Sequence, residues 1–475
     1  MNTIKGQNLC RLFKEWCGDD ALEYIPLPQS GSYREYYRIK SEDYTAIGVF
    51  NADKKENIAF ITFTNHFLAN DIKAPQIYKA ELDKDIYLIQ DLGDVTLHSM
   101  VADLPPEKRF SLSYIDLYKQ VIDQMPKFQI LAAKSLDYSV CYPRDSFDKR
   151  SMMWDLSYFK YHFLKLVKIH FDEQLLEDDF NTFTDYLLQA DSEYFLYRDF
   201  QSRNIMIIDN EPYFIDYQGG RKGALQYDLA SLLYDAKAEM PQDVRDFLLD
   251  YYIKTVSKYT IIDANKFKEY FYGYTLIRIL QAMGAYGFRG LYEKKDLFVQ
   301  SIPIAVRDLQ WLIRNLDKEF LLKVPALINV LEELTVSEEL QKIIRPKNVL
   351  TVTINSFSYK KGIPEDKSGN GGGFVFDCRS LVNPAKYEEY RNLTGKDQKV
   401  IDFFAKETEL KEYINSVYFL ISKSIANYQN RSFNSLMVNF GCTGGQHRSV
   451  YCTEQLAARI KEKYDVEIVV NHTNL

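Results

Sequence analysis

The stretch Tyr197-Arg198-Asp199-Phe200-Gln201-Ser202-Arg203-Asn204, followed by two short apolar runs and Asp216, restricts the fold more than any other part of the chain. The runs Ile205–Ile208 and Tyr213–Ile215 flank Asp209-Asn210-Glu211-Pro212, a tetrad of turn residues, so the pattern predicts a β-hairpin. Such a hairpin carries Asn204 and Asp216 to one rim, beside the loop that bears Asp199. Phosphoryl transfer from ATP needs those three groups: a carboxylate to orient and deprotonate the attacking hydroxyl, and two oxygen ligands for magnesium. Asp199 is therefore the expected catalytic base, and Asn204 and Asp216 the expected Mg2+ ligands. The spacing from Asp199 to Asn204 is common by chance when met alone. The plain alternative, a solvated loop before an ordinary hairpin, must explain the spacing, the hairpin and the second acid together.

The flanking sequence fits a bilobal, protein-kinase-like fold. From Tyr24 to Asp94 β-patterns dominate, with a helix expected over 57–70, and residues 1–94 are expected to form the small lobe. Ser30-Gly31-Ser32 is a turn whose amides are candidates for the ATP phosphates, although a simple hairpin turn is the ordinary reading of one glycine. Gln90, Asp91 and Leu92 are the expected hinge, where backbone groups pair with adenine. The strand Thr45–Phe50 has no lysine to pair with phosphate; Lys54 and Lys55 follow it, with a solvated loop charge as the alternative. Residues 95–335 are expected to form a mainly helical large lobe, with apolar positions such as Leu156, Phe159, Phe163 and Leu166 at helical spacing. Asp228 is expected either to cap the helix that follows it or to orient the catalytic loop.

Arg345-Pro346 ends the helical pattern, so 336–348 is expected as a linker and 349–475 as a small α/β domain with a mostly parallel sheet. Strands are expected over 349–355, 374–377, 436–440 and 467–471, with helices over 398–427 and 447–463. The loop Cys442-Thr443-Gly444-Gly445-Gln446-His447-Arg448-Ser449 joins a strand to a helix, which presents backbone amides and a positive helix end to an anion. Arg448 adds a bidentate phosphate donor and His447 a titratable one. The loop also satisfies C-x5-R-S, the pattern in which a thiolate attacks phosphorus. Arg379 is a second candidate phosphate contact, with a buried ion pair to Asp377 as the alternative.

Composition excludes several classes. The six cysteines form no CxxC pair and read as reduced thiols of a cytoplasmic protein; no signal peptide or membrane-spanning run is visible. The net charge of −7 weighs against general nucleic-acid binding, although residues 346–475 carry 17 Lys+Arg against 14 Asp+Glu.

The segments 197–206, Ile215-Asp-Tyr-Gln-Gly-Gly, Tyr227-Asp-Leu-Ala-Ser-Leu-Leu and Gln90-Asp-Leu-Gly-Asp resemble the aminoglycoside phosphotransferase superfamily, and within it the anomeric kinases of N-acetylmuramate and N-acetylglucosamine. The resemblance covers roughly residues 8–335. It implies ATP and Mg2+ as cofactors and an amino sugar as acceptor, in cell-wall recycling. Tyr197 and Gln201 stand where that family usually shows histidine. Ser356-Phe-Ser-Tyr-Lys-Lys-Gly-Ile-Pro, Phe376-Asp-Cys-Arg-Ser-Leu-Val-Asn-Pro, Leu393-Thr-Gly-Lys-Asp and 441–450 resemble the RapZ C-terminal domain, with Ala385 where a histidine is usual. That resemblance implies an amino-sugar phosphate as ligand, with RNA a possible but less favoured partner. The leading expectation is a sugar kinase with a phosphosugar-binding regulatory domain. The alternatives are a catalytically weak regulator or RNA- or protein-binding adaptor, and a kinase–phosphatase pair.

Overall fold

The computed structural model describes residues 4–28, 34–102, 104, 108–344, 350–366, 372–430 and 433–475. The expected ATP-phosphate turn Ser30-Gly31-Ser32 lies outside the described residues. The chain divides after Gln341 into two compact units.

The first unit opens with a helix, Ile4–Cys17, ahead of the β-rich span that begins at Tyr24. Its Leu9, Leu12 and Phe13 recur at helical spacing and bury against Ile39, Ala46, Ile86 and Leu88 of the sheet. That sheet consists of β1 (Glu23–Pro26), β2 (Glu35–Lys40), β3 (Thr45–Phe50), β4 (Ile77–Glu81) and β5 (Ile86–Gln90), antiparallel in the order β1-β2-β3-β5-β4. The helix expected over 57–70 is Lys54–Ala69. It starts earlier because the Asp53 carboxylate accepts from the Lys55 and Glu56 amides as an N-cap.

The larger part of this unit is helical, as expected, around a buried 22-residue helix, Ala264–Ala285, that packs on Lys149–Phe159 and Leu225–Leu233. Leu156, Phe159 and Phe163 are buried, but Leu166 is 39% exposed. The helix widens into a π-turn over Lys160–Leu164, which shifts the phase so that Leu164 and Val167 face inward instead. The short strands β6 (Tyr194–Leu196) and β9 (Arg221–Gly223) pair on one side of the catalytic segment. Between them lies the expected hairpin, β7 (Ile205–Ile208) and β8 (Glu211–Phe214). Its turn is the two residues Asp209 and Asn210, both left-handed at φ 51° and 62°, a conformation Asn and Asp tolerate.

In the second unit β10 (Thr351–Ser358), β11 (Phe374–Asp377), β12 (Ser435–Cys442) and β13 (Glu467–His472) form a wholly parallel sheet in the order β11-β12-β10-β13. The helix expected over 398–427 is two, Gln398–Phe404 and Thr408–Asn430. The apolar phase explains the break. Val400 and Phe404 face the core, but a continuous helix would next turn Glu407, Thr408 and Lys411 inward, whereas the broken one buries Leu410, Ile414, Val417, Ile421 and Ile425. The span read as a linker carries a helix, Glu338–Ile344, at its start.

Candidate active site

The catalytic loop is held from beneath by one buried carboxylate. Asp228, inside the helix Leu225–Leu233 rather than at its cap, accepts the Tyr197 amide at 2.7 Å and the Arg198 amide at 3.0 Å. Burial raises its pKa, the two N–H groups and Gln129 oppose the rise, and Asp199 adds to it, leaving the group at about 7. These bonds fix Arg198 at φ 84°, a left-handed conformation that costs about 1–3 kcal/mol for a residue with a side chain. Arg198 itself donates both Nη2 bonds to Asp155 at 2.8 Å and one Nη1 bond to the Tyr227 hydroxyl. Tyr197 is buried, and its hydroxyl donates to the Ile215 carbonyl. The segment bearing Asp199 is thereby tied to the one bearing Asp216.

Asn204 and Asp216 meet as the hairpin requires. Asn204 Nδ2 donates to Asp216 Oδ2 at 3.1 Å and to the Asp199 carbonyl at 2.9 Å. Asp216 is also left-handed, at φ 71°. Burial first, and then the charge of Asp199, hold its carboxyl above the usual range, while Gln218 (2.7 Å) and Arg34 pull it down. Its side chain still keeps 38% of its surface exposed. A carboxylate crowded by a second acidic charge, beside an amide oxygen, suits a hard cation. Asp216 and Asn204 would hold Mg2+, and two protein ligands are a normal share, since magnesium takes the rest from phosphate and water.

Arg34 is a candidate site residue that the sequence reading missed. It is 2% exposed, lies 3.0 Å from Glu56 and 3.8 Å from Asp216, and donates to the Tyr36 hydroxyl at 2.9 Å. Burial opposes its charge, but Tyr36, Tyr87, Glu56 and Asp216 outweigh it and raise the pKa. Lys54 and Lys55 are exposed on the first turn of their helix. That helix is locked to the metal-side segment: Phe60 stacks on Tyr217 at 5.3 Å, and the Thr64 and Tyr217 hydroxyls share a 2.5 Å hydrogen bond.

At the expected hinge, the Gln90 amide is committed to the Gln76 carbonyl at 2.9 Å. The Asp91 carboxylate accepts from Arg38 Nε (2.7 Å) and Nη2 (3.0 Å) and from Thr45. Leu92 is buried, and the ladder between β3 and β5 stops at Gln90, so the Asp91 and Leu92 backbone lies beyond the sheet pairing.

Beside the catalytic loop a cavity of about 1070 Å³ opens between the segment 143–162 and the side chains of Arg198 and Arg221.

In the second unit the strand β12 ends at Cys442, and the loop turns through Gly445 at φ 72°. A β-carbon there would fall 2.8 Å from Asn474 and 3.0 Å from the Ser358 amide, so glycine is required for both conformation and space. The Thr443 carbonyl accepts from Ser358 Oγ (2.7 Å) and the Gln446 carbonyl from the Gly395 amide (2.9 Å), which pins the loop by its carbonyls. Thr443, Gly444 and Gln446 form the exposed rim. Cys442 Sγ accepts the Gly445 amide at 3.2 Å and lies 3.2 Å from Ser449 Oγ. Burial pushes the thiol up, but those groups and the Arg448 charge outweigh it, and the net shift is downward.

The expected anion donors are placed differently from one another. Arg448 is buried, and its Nη1 donates to the Arg379 and Leu381 carbonyls at 2.8 and 3.0 Å, bracing the segment after β11. His447 is buried, with Nε2 2.8 Å from the Tyr390 carbonyl. Arg379 does pair with Asp377, at 2.7 Å, but at the surface, and its guanidinium lies over the Tyr359 ring. Asp377 registers with Gly441, so the pair shares the loop's end of the sheet.

Comparison with known proteins divides along the same two parts. Residues 350–475 match the family model of the RapZ C-terminal domain. A nucleotide-binding protein of Chromobacterium violaceum is 38% identical over 128 residues, 27% of this chain and 43% of that protein. One of Fervidobacterium nodosum is 36% identical over 131 residues, 28% of this chain and 44% of that protein. The chain thus spans less than half the length of these relatives. Among solved structures, an ethanolamine kinase of Plasmodium vivax (11% identity, TM-score 0.45) is covered over 81% of its length and 60% of this chain. An ADP-bound aminoglycoside phosphotransferase (12%, 0.45) is covered over 99% and 72%. The choline kinase LicA of Streptococcus pneumoniae (14%, 0.40) is covered over 97% and 62%. The similarity by sequence to the RapZ C-terminal domain is therefore confined to residues 350–475.

Proposed function

We propose that this chain transfers the γ-phosphoryl group of ATP to a hydroxyl of an amino sugar of the N-acetylmuramate/N-acetylglucosamine class, at the anomeric position, in the cytoplasm. The observation that carries the reading is the meeting of Asp199, Asn204 and Asp216, with the Asn204–Asp216 bond at 3.1 Å and Arg34 within 3.8 Å of the same carboxylate. Asp199 orients the acceptor hydroxyl and takes its proton as the O–P bond forms. Arg34, fixed by Glu56, supplies the fixed positive charge for the ATP phosphates that the lysine-free β3 does not. Bound Mg2+ would neutralise charge on the phosphate oxygens and align them. Asp228, Tyr197 and Arg198 keep the loop in its strained conformation, so that little reorganisation is left for the reaction. The Asp91 and Leu92 backbone serves the purine.

For the second unit, we propose binding of an amino-sugar phosphate at the loop 442–449, which adjusts the kinase. The exposed rim amides and Arg379, whose pairing to Asp377 is at the surface, support an anion site there. The six cysteines are all free thiols, which fits a reducing compartment.

ADP release with Mg2+-ATP and a panel of amino sugars, followed by 31P NMR of the product, tests the kinase reading. A doublet from an anomeric phosphate is expected. Sugar-independent ADP release, or none with any amino sugar while ATP still binds, would overturn it.

A further inference from the structure

We infer that Gln218 is a third protein ligand of the cation, its side-chain oxygen joining Asn204 and Asp216. The inference rests on the phosphotransferase reading, which calls for Mg2+ at this place. Gln218 lies two residues past Asp216 and is 9% exposed. Its Nε2 donates to Asp216 Oδ1 at 2.7 Å, while its Oε1 is buried and accepts no hydrogen bond from the described residues. Buried amide oxygens are paired as a rule, because the water they give up is otherwise not replaced. Asp216 thus meets an amide at each oxygen, Gln218 at Oδ1 and Asn204 at Oδ2. Half a turn of the Gln218 amide exchanges its two ends and sets Oε1 towards Asp216. An oxygen facing a carboxylate oxygen is repelled until a cation lies between them, and the cation then gains both.

The backbone around Gln218 is held on either side, so only the side chain has to move. Tyr217 is fully buried, stacked on Phe60 at 5.3 Å, with its hydroxyl 2.5 Å from that of Thr64. The Gly220 amide donates to the Tyr217 carbonyl at 2.9 Å, and a β-carbon on Gly220 would fall 2.3 Å from the Phe195 ring. Arg221 Nε donates to the Gly219 carbonyl at 3.0 Å.

A neutral ligand also suits the charge of the site. Asp216 already feels the charge of Asp199. A third carboxylate would capture the cation without nucleotide, whereas an amide adds an oxygen and no charge. Most of the binding is then left to the ATP phosphates, and the metal enters with the nucleotide. The rival role for Gln218 is mechanical, as the N–H donor that steadies Asp216.

The test uses the full-length chain with ADP and Mn2+, a paramagnetic substitute for Mg2+, and no acceptor. In protein carrying 13C at the glutamine side-chain carbonyl, electron–nuclear double resonance should show a 13C coupling to bound Mn2+ that Gln218→Ala loses. Calorimetry on the ADP complex should show Mn2+ affinity about 10-fold or more lower in Gln218→Ala, the loss usual for groups that hold or orient a metal's ligands. Gln218→Glu should match or exceed wild type and should take up Mn2+ without nucleotide. Affinity in Gln218→Glu as low as in Gln218→Ala, or bound Mn2+ without glutamine coupling in wild type, would overturn the inference and leave the kinase reading standing. The coupling is read on wild type, so a variant that does not fold leaves the inference exposed to refutation. Wild type that binds ADP equally with and without a divalent cation would sink the kinase reading itself, and this inference with it.

Discussion

Asp228→Asn separates what the buried carboxylate does for folding from what it does for catalysis, because the two effects run in opposite directions with pH. The ionised carboxylate accepts the Tyr197 and Arg198 amides through both oxygens, whereas a carboxamide offers one acceptor and turns an N–H2 towards the other amide. Losing one hydrogen bond to a charged acceptor costs about 1.5–3 kcal/mol of local stabilisation, roughly the strain held at Arg198. The loop should therefore relax, and kcat should fall about 10- to 100-fold at pH 8. Global stability should respond less, because Asn also removes a buried charge. The pKa of Asp228 is raised from its unfolded value near 4 to about 7. A raised carboxyl contributes stability that is full below about 4 and is lost as pH rises through about 7. Relative to the Asn variant, wild type should thus lose up to ~1.4 kcal/mol per pH unit across that window. Activity takes the other sign: protonation below about 7 releases the loop, so wild-type kcat should fall with a limb that the Asn variant lacks. Urea unfolding and steady-state rates from pH 4.5 to 8.5 on both proteins decide it. Parallel stability curves, or a kcat limb that persists in Asp228→Asn, would refute the assignment of this carboxylate as the loop's anchor.

Asp199→Asn should lower turnover by about 10²- to 10⁴-fold, the usual value of a positioned base, while ATP affinity measured by calorimetry stays within a few fold; turnover near the wild-type rate would remove Asp199 from that role. Arg34→Gln should raise KM for ATP and lower kcat, with kcat/KM down about 100-fold, because no exposed lysine on the following helix is placed to replace a buried charge; a Lys54→Gln, Lys55→Gln double variant should change kcat/KM little, and the reverse ranking would count against Arg34. Arg448→Ala should destabilise the C-terminal unit by about 2–4 kcal/mol, since it strips two carbonyls of a buried donor, whereas Cys442→Ser should leave binding of glucosamine-6-phosphate within a few fold. Release of phosphate from an aryl phosphate that depends on Cys442 would instead make this loop a phosphatase site.

The parts that the sequence displayed well are those whose geometry is local. A hairpin with left-handed Asp209-Asn210 places Asn204 and Asp216 together through contacts of neighbouring residues, so spacing alone suffices to find them. The parallel C-terminal sheet was equally visible, because β-branched and aromatic stretches alternate there with helical patterns and glycine loops. Arg34 was hidden for a register reason. Glu35 pairs with Phe50, which puts Arg34 opposite the end of β3, where a lysine was sought along the strand itself. An arginine from the neighbouring strand reaches the same carboxylates, Glu56 and Asp216, and nothing in a one-dimensional pattern tells which strand supplies the charge. The helix break near residue 405 was concealed differently: the residues are good helix formers, and only the phase of the buried positions on either side forbids continuity.

Charge shows the same limit of averages. A chain with net charge −7 reads as acidic, and that balance weighed against general nucleic-acid binding. Folding gathers Arg144 and Arg150 with Arg198 and Arg221 around one cavity whose carboxylate, Asp155, is bonded to Arg198. A ligand senses the field of that cavity and not the sum over the surface, since burial strengthens nearby charges while solvent and salt screen the rest. The acidic total and the basic pocket are therefore compatible.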